Sequence, residues 1–225
     1  MGIFVVILII GAFVYWKGIS EPAELKNMIK NRPKQQQDVI KYFYGKGGFL
    51  TKRISDAEYD ALVKATVAQS DFKQKALEKI GLDESQVKEI EPVHFEGWKF
   101  GKKVGFARRG QDGHYRSTAY QISWLFFSSS QVYIYQNTIH FDKDDRNVGT
   151  EEYFYKDITN FSTSSDTEET PYWDVSQKKS VLRNVDTNRF AITVPGDKFY
   201  CAMDQNDYTE RSIQGMKAKL REKKA

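Results

Sequence analysis

The sequence predicts an α+β protein, with helices in its first part and antiparallel strands in the remainder. Three observations lead to this fold class. An uncharged run occupies positions 2–16, apolar residues then recur at spacings of three and four up to about residue 90, and after Pro92 they alternate with a period of two. We expect an anchor over 1–17, a helical segment over 18–91 and a β domain over 92–225 that ends in a helix.

The first unit is predicted to be a transmembrane helix, because its apolar side chains are costly to leave in water. Fifteen residues in a helix rise about 22 Å, which is short against a hydrocarbon core of about 30 Å. Two aromatic residues at its end are typical of the membrane interface. The predicted anchor residues are Ile3, Phe4, Val5, Val6, Ile7, Leu8, Ile9, Ile10, Phe13, Val14, Tyr15 and Trp16.

Two other interpretations of this run stay open. A cleaved secretory signal has a basic residue before its apolar core and small residues after it, whereas here Tyr15 and Trp16 are bulky and no Lys or Arg precedes Gly2. A buried core helix is the third interpretation. We favour an uncleaved anchor.

The charges that follow the run predict its orientation. The basic residues Lys17, Lys26, Lys30, Arg32 and Lys34 all come after it. The positive-inside rule therefore places the N-terminus outside and the body in the cytoplasm. The single cysteine agrees with a reducing compartment, since it cannot form an internal disulfide. The predicted location is the cell membrane, with a single pass.

The helical segment is divided by prolines, glycines and capping residues. Pro22 and Pro33 bound a first helix, and the run 45–48 ends a second. Ser55 followed by Glu58 predicts a capping box, in which each side chain satisfies an unpaired N–H at the helix start. A fourth helix is expected to end at Gly81, with Asp83 capping one further turn.

The β domain shows alternation in many short segments. Expected strands cover 94–100, 103–108, 117–127, 131–135 with continuation to 141, 152–156, 158–163, 180–185, 190–194 and 198–203, the first two forming a hairpin. An acidic loop is expected at 142–151 and a Ser/Thr/Glu-rich loop at 162–179. The last element is a helix with a capping box of Asp207 and Glu210. This layout predicts a small open barrel or bent sandwich plugged by that helix.

The segments SSSQVYIYQNTIHF, EEYFYKDITNFST and RFAITVPGDKFYCAMDQND follow one another in the order of a strand pair, a strand entry, a late hairpin and a polar cap before the last helix. Over residues 117–224 this order resembles the pleckstrin-homology superfold, especially its bacterial PH-like and GRAM-like domains. The resemblance implies an open antiparallel barrel capped by a C-terminal helix. Lipid-binding members of the superfold concentrate basic residues between the first two strands, where this chain has SSSQ.

No set of residues in the sequence predicts an enzyme, a metal site or a cofactor. The three histidines share no ligand spacing, and His140 is expected to be exposed. Cys201 alternates with apolar residues and is expected to lie in the core. Asp142, Asp144 and Asp145 do not match a calcium loop, because Arg146 stands where an oxygen ligand is needed. A formal charge of +4 is too mild to indicate a nucleic-acid partner.

One basic cluster is a candidate lipid-contact site. It consists of Lys99, Lys102, Lys103, Arg108 and Arg109, interleaved with aromatic residues on the expected hairpin. The alternative is an ordinary polar edge, where lysines discourage aggregation. The predicted function is a membrane-tethered, non-catalytic binding or scaffolding module that recruits a protein partner at the inner membrane face. The alternatives are recognition of anionic lipid through the basic hairpin, and an exported envelope protein with a cleaved signal.

Overall fold

The computed structural model describes residues 23–45, 53–174, 176–177 and 179–224. The predicted anchor at 3–16, and the question of whether it is cleaved, lie outside the described residues. The described helices are α1 (Ala23–Ile29), α2 (Lys34–Tyr44), α3 (Asp56–Ala68), α4 (Phe72–Ile80) and α5 (Asp207–Lys224), with a 3₁₀ turn at Glu84–Gln86.

The described ranges contain no helix that combines the length and the apolar character needed to cross a membrane. The longest of these helices, α5, has 18 residues and carries charge along most of its length. It buries only one face, through Thr209, Ile213, Met216 and Leu220. Against the predictions of a transmembrane helix, of a single-pass location in the cell membrane and of a membrane partner, the correction is that no membrane-spanning helix is found in the described ranges.

Nine strands appear in the described part of the chain: β1 (Val93–Trp98), β2 (Ala107–Arg109), β3 (Tyr115–Ser117), β4 (Ala119–Phe127), β5 (Gln131–His140), β6 (Arg146–Phe154), β7 (Asn160–Asp174), β8 (Lys179–Val194) and β9 (Asp197–Ala202). They form two sheets. Sheet I has the order β1-β4-β5-β6, and sheet II has the order β3-β2-β7-β8-β9. The predicted open barrel is therefore wrong, while the α+β composition is confirmed.

Sheet I is the middle of three layers, because both faces of its central strands β4 and β5 are largely buried. Its first face packs against α1–α4, with Tyr120, Ile122 and Phe126 of β4 meeting Val39, Tyr59 and other helix residues. Its second face packs against sheet II and α5, through residues such as Leu125 and Phe127. A barrel plugged by one helix would bury only its inner face, so the second core is what separates this fold from the expected one.

The expected hairpin over 94–108 is wrong, because its two segments belong to different sheets. β1 pairs with β4, in the register Val93↔Leu125 to Trp98↔Tyr120. β2 pairs with β3 and, through Ala107↔Tyr172, with β7. Burial gives the physical reason, since Phe95 stacks on Phe190 in one core whereas Ala107 packs with Phe100 and Val185 in another.

Both expected loops are mostly strand. Residues 146–154 form β6, and residues 160–174 form β7, which pairs with β8 from Asn160↔Thr193 to Asp174↔Lys179. The expected strands at 180–185 and 190–194 are parts of the single strand β8. Phe161 and Trp173 anchor β7 in the two cores, although polar side chains dominate between them.

Several local predictions are confirmed. The capping box of Ser55 and Glu58 begins α3, Gly81 ends α4 with a positive φ of 80°, and Asp83 caps the 3₁₀ turn. One other, the capping box of Asp207 and Glu210, is wrong. The reciprocal cap before α5 joins the side chains of Asn206 and Thr209 to each other's backbone N–H groups, at 3.0 Å each, and does not involve Asp207.

Candidate functional site

The structure does not gather the five predicted lipid-contact residues into one patch. Burial lowers the pKa of Lys99, which lies near Cys201 and Arg189. Lys102 is exposed and pairs with Glu169 at 2.6 Å. Lys103 is exposed, with no ion pair in the described ranges.

The two arginines of that set serve other contacts. The Arg108 guanidinium lies 4.8 Å from the centre of the Tyr42 ring and donates to the Tyr42 carbonyl oxygen. Arg109 donates from Nε to the carbonyl oxygen of Gly113 at 3.0 Å. These contacts tie β2 to α2 and to the loop before β3, so they are structural.

The structure instead brings together a cleft that no local sequence pattern marks. It has a volume of about 570 Å³ and lies where α3, the end of β1, β3 and β8 approach the segment after β9. We call it the acidic cleft. Its described charged lining residues are Asp60, Lys64, Asp112, Arg116, Asp186 and Asp204, and its apolar lining includes Trp98, Phe100, Tyr115, Tyr120 and Met203.

Arg116 holds one wall of the acidic cleft in place. It is only 5 % exposed, although it carries a permanent charge. Its Nε and Nη2 donate to the two carboxylate oxygens of Asp60, both at 2.7 Å, and its Nη1 and Nη2 donate to Asp112 at 3.0 and 2.8 Å. One guanidinium group thus forms two-point hydrogen-bonded ion pairs with two carboxylates. The pair with Asp60 joins α3 to β3.

Aromatic rings form a second wall. Tyr59 of α3 is fully buried, and its hydroxyl donates to the Ser117 carbonyl oxygen at 2.7 Å. Its ring stacks on Trp98, with 5.5 Å between centroids, and Trp98 meets Tyr120 edge to face at 4.9 Å. The rings that line the cleft are therefore fixed from behind by the helical layer.

Asp204 has a different environment from the other aspartates. It follows β9, and its backbone N–H donates to the Glu96 carbonyl oxygen at 2.8 Å. Crowding by surrounding protein, with the negative charges of Glu96 and Asp60, raises the pKa of Asp204 to about 6, against a smaller opposing effect of Lys64. The side chain still reaches solvent from the cleft. In contrast, hydrogen bonds from Arg116 hold the pKa of Asp112 well below its usual range.

The balance of charge in the acidic cleft is negative. Among its described lining residues, aspartates outnumber basic side chains by four to two. The buried cation, Arg116, is already matched by Asp60 and Asp112. Lys64 offsets one of the two remaining carboxylates, so above pH 6, where Asp204 is ionised, the lining keeps a net negative charge that attracts a cation beside aromatic surface.

The described residues contain no cluster of His, Cys, Asp and Glu suited to holding a metal ion. His94 stacks on Trp124 at 5.0 Å, and its Nδ1 lies 3.1 Å from the Tyr208 hydroxyl. His140 is 8 % exposed, so the prediction of an exposed histidine is wrong. Cys201 is fully buried, as expected, and burial raises the pKa of its thiol to about 11.

No charged residue of the acidic cleft was predicted from the sequence. Asp60, Asp112 and Asp204 lie on separate elements, and only tertiary packing brings them together. Trp98 is one of the aromatic residues interleaved with the basic cluster of the expected hairpin. No sequence signal marked Asp60 or Arg116, because their pairing exists only in the folded chain, 56 residues apart in sequence.

No protein-family model, curated protein or solved structure matches this chain. The similarity to bacterial PH-like domains therefore stays a prediction. The case for a function rests on the geometry of the chain itself.

Proposed function

We propose that this chain is a non-catalytic protein-binding module, and that the acidic cleft receives a basic side chain of a protein partner. The observation that carries this proposal is the excess of carboxylates in a cleft whose buried cation, Arg116, is already neutralised. An added cation would find partners in Asp204 and Asp186 without competing for the bonds of Arg116.

The size and lining of the cleft favour a long basic side chain. A volume of about 570 Å³ admits one or two side chains from a partner. Lysine and arginine pack their apolar stems on hydrophobic surface while their charged ends reach polar groups. Trp98, Tyr120 and Met203 offer that surface. Asp204 follows Met203 in the chain and lines the same cleft.

The fixed state of the carboxylates favours binding over catalysis. A general acid or base must exchange protons, yet hydrogen bonds from Arg116 lower the pKa of Asp112, and Asp60 is hydrogen-bonded to the same guanidinium. Asp204 has a raised pKa, but the described lining of the cleft holds no serine or cysteine for it to activate. The scaffolding function predicted from sequence therefore fits this site, without its membrane location.

The test is a titration of the full-length chain with two blocked tripeptides, acetyl-Gly-Arg-Gly-amide and acetyl-Gly-Gln-Gly-amide, followed by amide chemical shifts at pH 7. We expect the arginine peptide to shift resonances of the acidic cleft, with weak affinity, and the glutamine peptide to shift none. Asp204→Asn should weaken arginine binding by about fivefold, as for a solvent-accessible charge pair.

The matched control is Asp157→Asn, which makes the same charge change at an exposed site outside the cleft. It should leave arginine binding unchanged. Equal binding of the two peptides, or an equal loss in the two variants, would show that the cleft does not select a cation.

A further inference from the structure

The basic residues on the two sides of helix α5 have different partners. Lys219 and Lys223 both contact a carboxylate oxygen of Glu89, at 2.6 and 2.8 Å, and Lys219 also pairs with Glu222 at 2.9 Å. These ion pairs fasten α5 to the segment before β1. The cations on this side of the helix are therefore matched by acidic partners.

The other side of α5 carries unmatched cations. Lys217, Arg221 and Lys224 form no ion pair within the described part of the chain. Together with Thr159, Asn160 and Leu220 they line a groove of about 490 Å³, which we call the basic groove. None of its described lining residues is acidic, in contrast to the acidic cleft.

The three cations form a row. Residues separated by four and then three positions fall on one stripe of a helix, and seven residues rise about 10 Å along its axis. Lys217 is half-buried at the inner end of the row, whereas Arg221 and Lys224 are exposed. Repulsion among them costs free energy in the absence of an anion, and a single small monoanion cannot contact all three.

We propose that the basic groove binds a chain of linked phosphates carried by a soluble small molecule. Linked phosphates place several negative charges along a length comparable to the row. The planar guanidinium of Arg221 suits paired contacts to phosphate oxygens, and lysines supply point charges at either end. The Thr159 hydroxyl and the Asn160 amide add neutral donors at the opposite wall.

This site is separate from the acidic cleft, so the proposal does not depend on the proposed function. Phosphate binding is also distinct from the stabilisation of a helix dipole by cations near the helix C-terminus. Favourable interaction with the last carbonyl groups needs cations anywhere in the final turn. That dipole interaction does not require a groove whose described lining residues include no acidic side chain.

The experiment is isothermal titration of the full-length chain with sodium tripolyphosphate, at low and at near-physiological salt. We expect one binding event that weakens as salt rises, because the site is solvent-accessible. The triple variant Lys217→Gln, Arg221→Gln, Lys224→Gln should bind at least tenfold more weakly. These side chains are mainly exposed, so the variant should fold, and its circular dichroism spectrum checks this.

The control is Lys26→Gln, Lys30→Gln, Lys79→Gln, which removes the same charge from exposed positions on α1, after it and on α4. It should change the affinity less than twofold. Asp204→Asn should have no effect, which distinguishes failure here from failure of the proposed cleft function.

Three results would overturn the proposal. In the first, the control triple variant binds as weakly as the groove variant, so that only net charge matters. In the second, a tetraglutamate peptide binds as tightly as tripolyphosphate, so that the groove does not select phosphate. In the third, binding occurs only to vesicles containing anionic phospholipid and not to tripolyphosphate.

Discussion

At the scale of single residues, the acidic cleft shows how position changes the chemistry of one residue type. Asp112 accepts hydrogen bonds from Arg116, which favour its ionised form and lower its pKa. Asp204 is crowded by protein and faces Glu96 and Asp60, which favour its protonated form. None of these neighbours is close to Asp204 in sequence, so its environment could not be predicted from the chain.

Asp204 gives a prediction about stability and pH. Because its pKa is raised from 3.8 to about 6 in the folded chain, the folded state holds more protons than the unfolded state between about pH 4 and pH 6. The contribution of Asp204 to stability is therefore lost as pH rises through that window. We expect Asp204→Asn to be more stable than the natural chain at pH 7, by about 1 kcal/mol after allowance for solvent screening.

The measurement is urea unfolding of both proteins at pH 4 and pH 7, since the difference between them isolates Asp204 from other titrating groups. The advantage of Asp204→Asn should largely vanish at pH 4. The control Asp157→Asn should show no such change. An advantage that stays constant from pH 4 to pH 7 would contradict the raised pKa.

At the scale of elements, the helices were the most predictable part because their boundary signals are local. Ser55 accepts from the Glu58 N–H at 3.2 Å, and the Glu58 carboxylate accepts from the Ser55 N–H at 2.7 Å, as the spacing predicted. Gly81 takes the left-handed conformation that ends α4. Each of these interactions spans three or four residues, so the sequence contains all of it.

Strand pairing was less predictable because its partners lie elsewhere in the chain. β6 has exposed side chains at all but one position, and it is a strand because β5 pairs along its length. β7 appears polar, yet Phe161 and Trp173 fix its ends in two cores. In both segments, charged and hydroxyl side chains indicated a loop, and tertiary pairing overrode that local preference.

The capping box gives a prediction for α3. Ser55→Ala removes the acceptor of the Glu58 N–H at the helix start, and should lower the free energy of unfolding by about 1 kcal/mol. Urea unfolding followed by far-ultraviolet circular dichroism measures the change. Ser129→Ala is the control, because Ser129 is exposed in the turn between β4 and β5 and its hydroxyl has no hydrogen-bond partner in the described ranges. Equal effects of the two substitutions would mean that the cap does not stabilise α3.

At the scale of the whole molecule, the three-layer arrangement explains why the acidic cleft exists. Sheet I is covered by helices on one face and by sheet II on the other, and the cleft forms where these layers meet. The alternation along 117–127 predicted a strand with two faces but did not show that both faces are buried. The second face carries the polar residues Gln121 and Ser123, which are typical of an exposed face, although both are buried.

Their burial is possible because they are hydrogen-bonded. The Gln121 side-chain oxygen accepts from the Ala202 N–H at 2.8 Å, which joins sheet I to β9. A polar side chain bonded across two layers cannot be distinguished, in the sequence, from one that faces water. The number of layers was therefore beyond prediction from periodicity alone.

Substitutions at two buried residues of β4, one on each face of sheet I, test the three-layer fold. Ile122 is 1 % exposed in the core under the helices, and Leu125 is fully buried in the core under sheet II. Truncating either to alanine leaves a cavity, so Ile122→Ala and Leu125→Ala should each lower the free energy of unfolding by about 2–5 kcal/mol. Because the two side chains share no core, their effects should add within about 0.5 kcal/mol in the double variant.

The matched control for these truncations is Val148→Ala in β6, which removes methyl groups from a side chain that is 44 % exposed. It should cost less than about 1 kcal/mol, since little apolar surface returns to water. Urea unfolding followed by tryptophan fluorescence gives all four values. If Ile122→Ala or Leu125→Ala were as mild as Val148→Ala, that face of sheet I would be open to solvent. Only one packed face would then remain, and the acidic cleft would lose the wall on which its carboxylates are held.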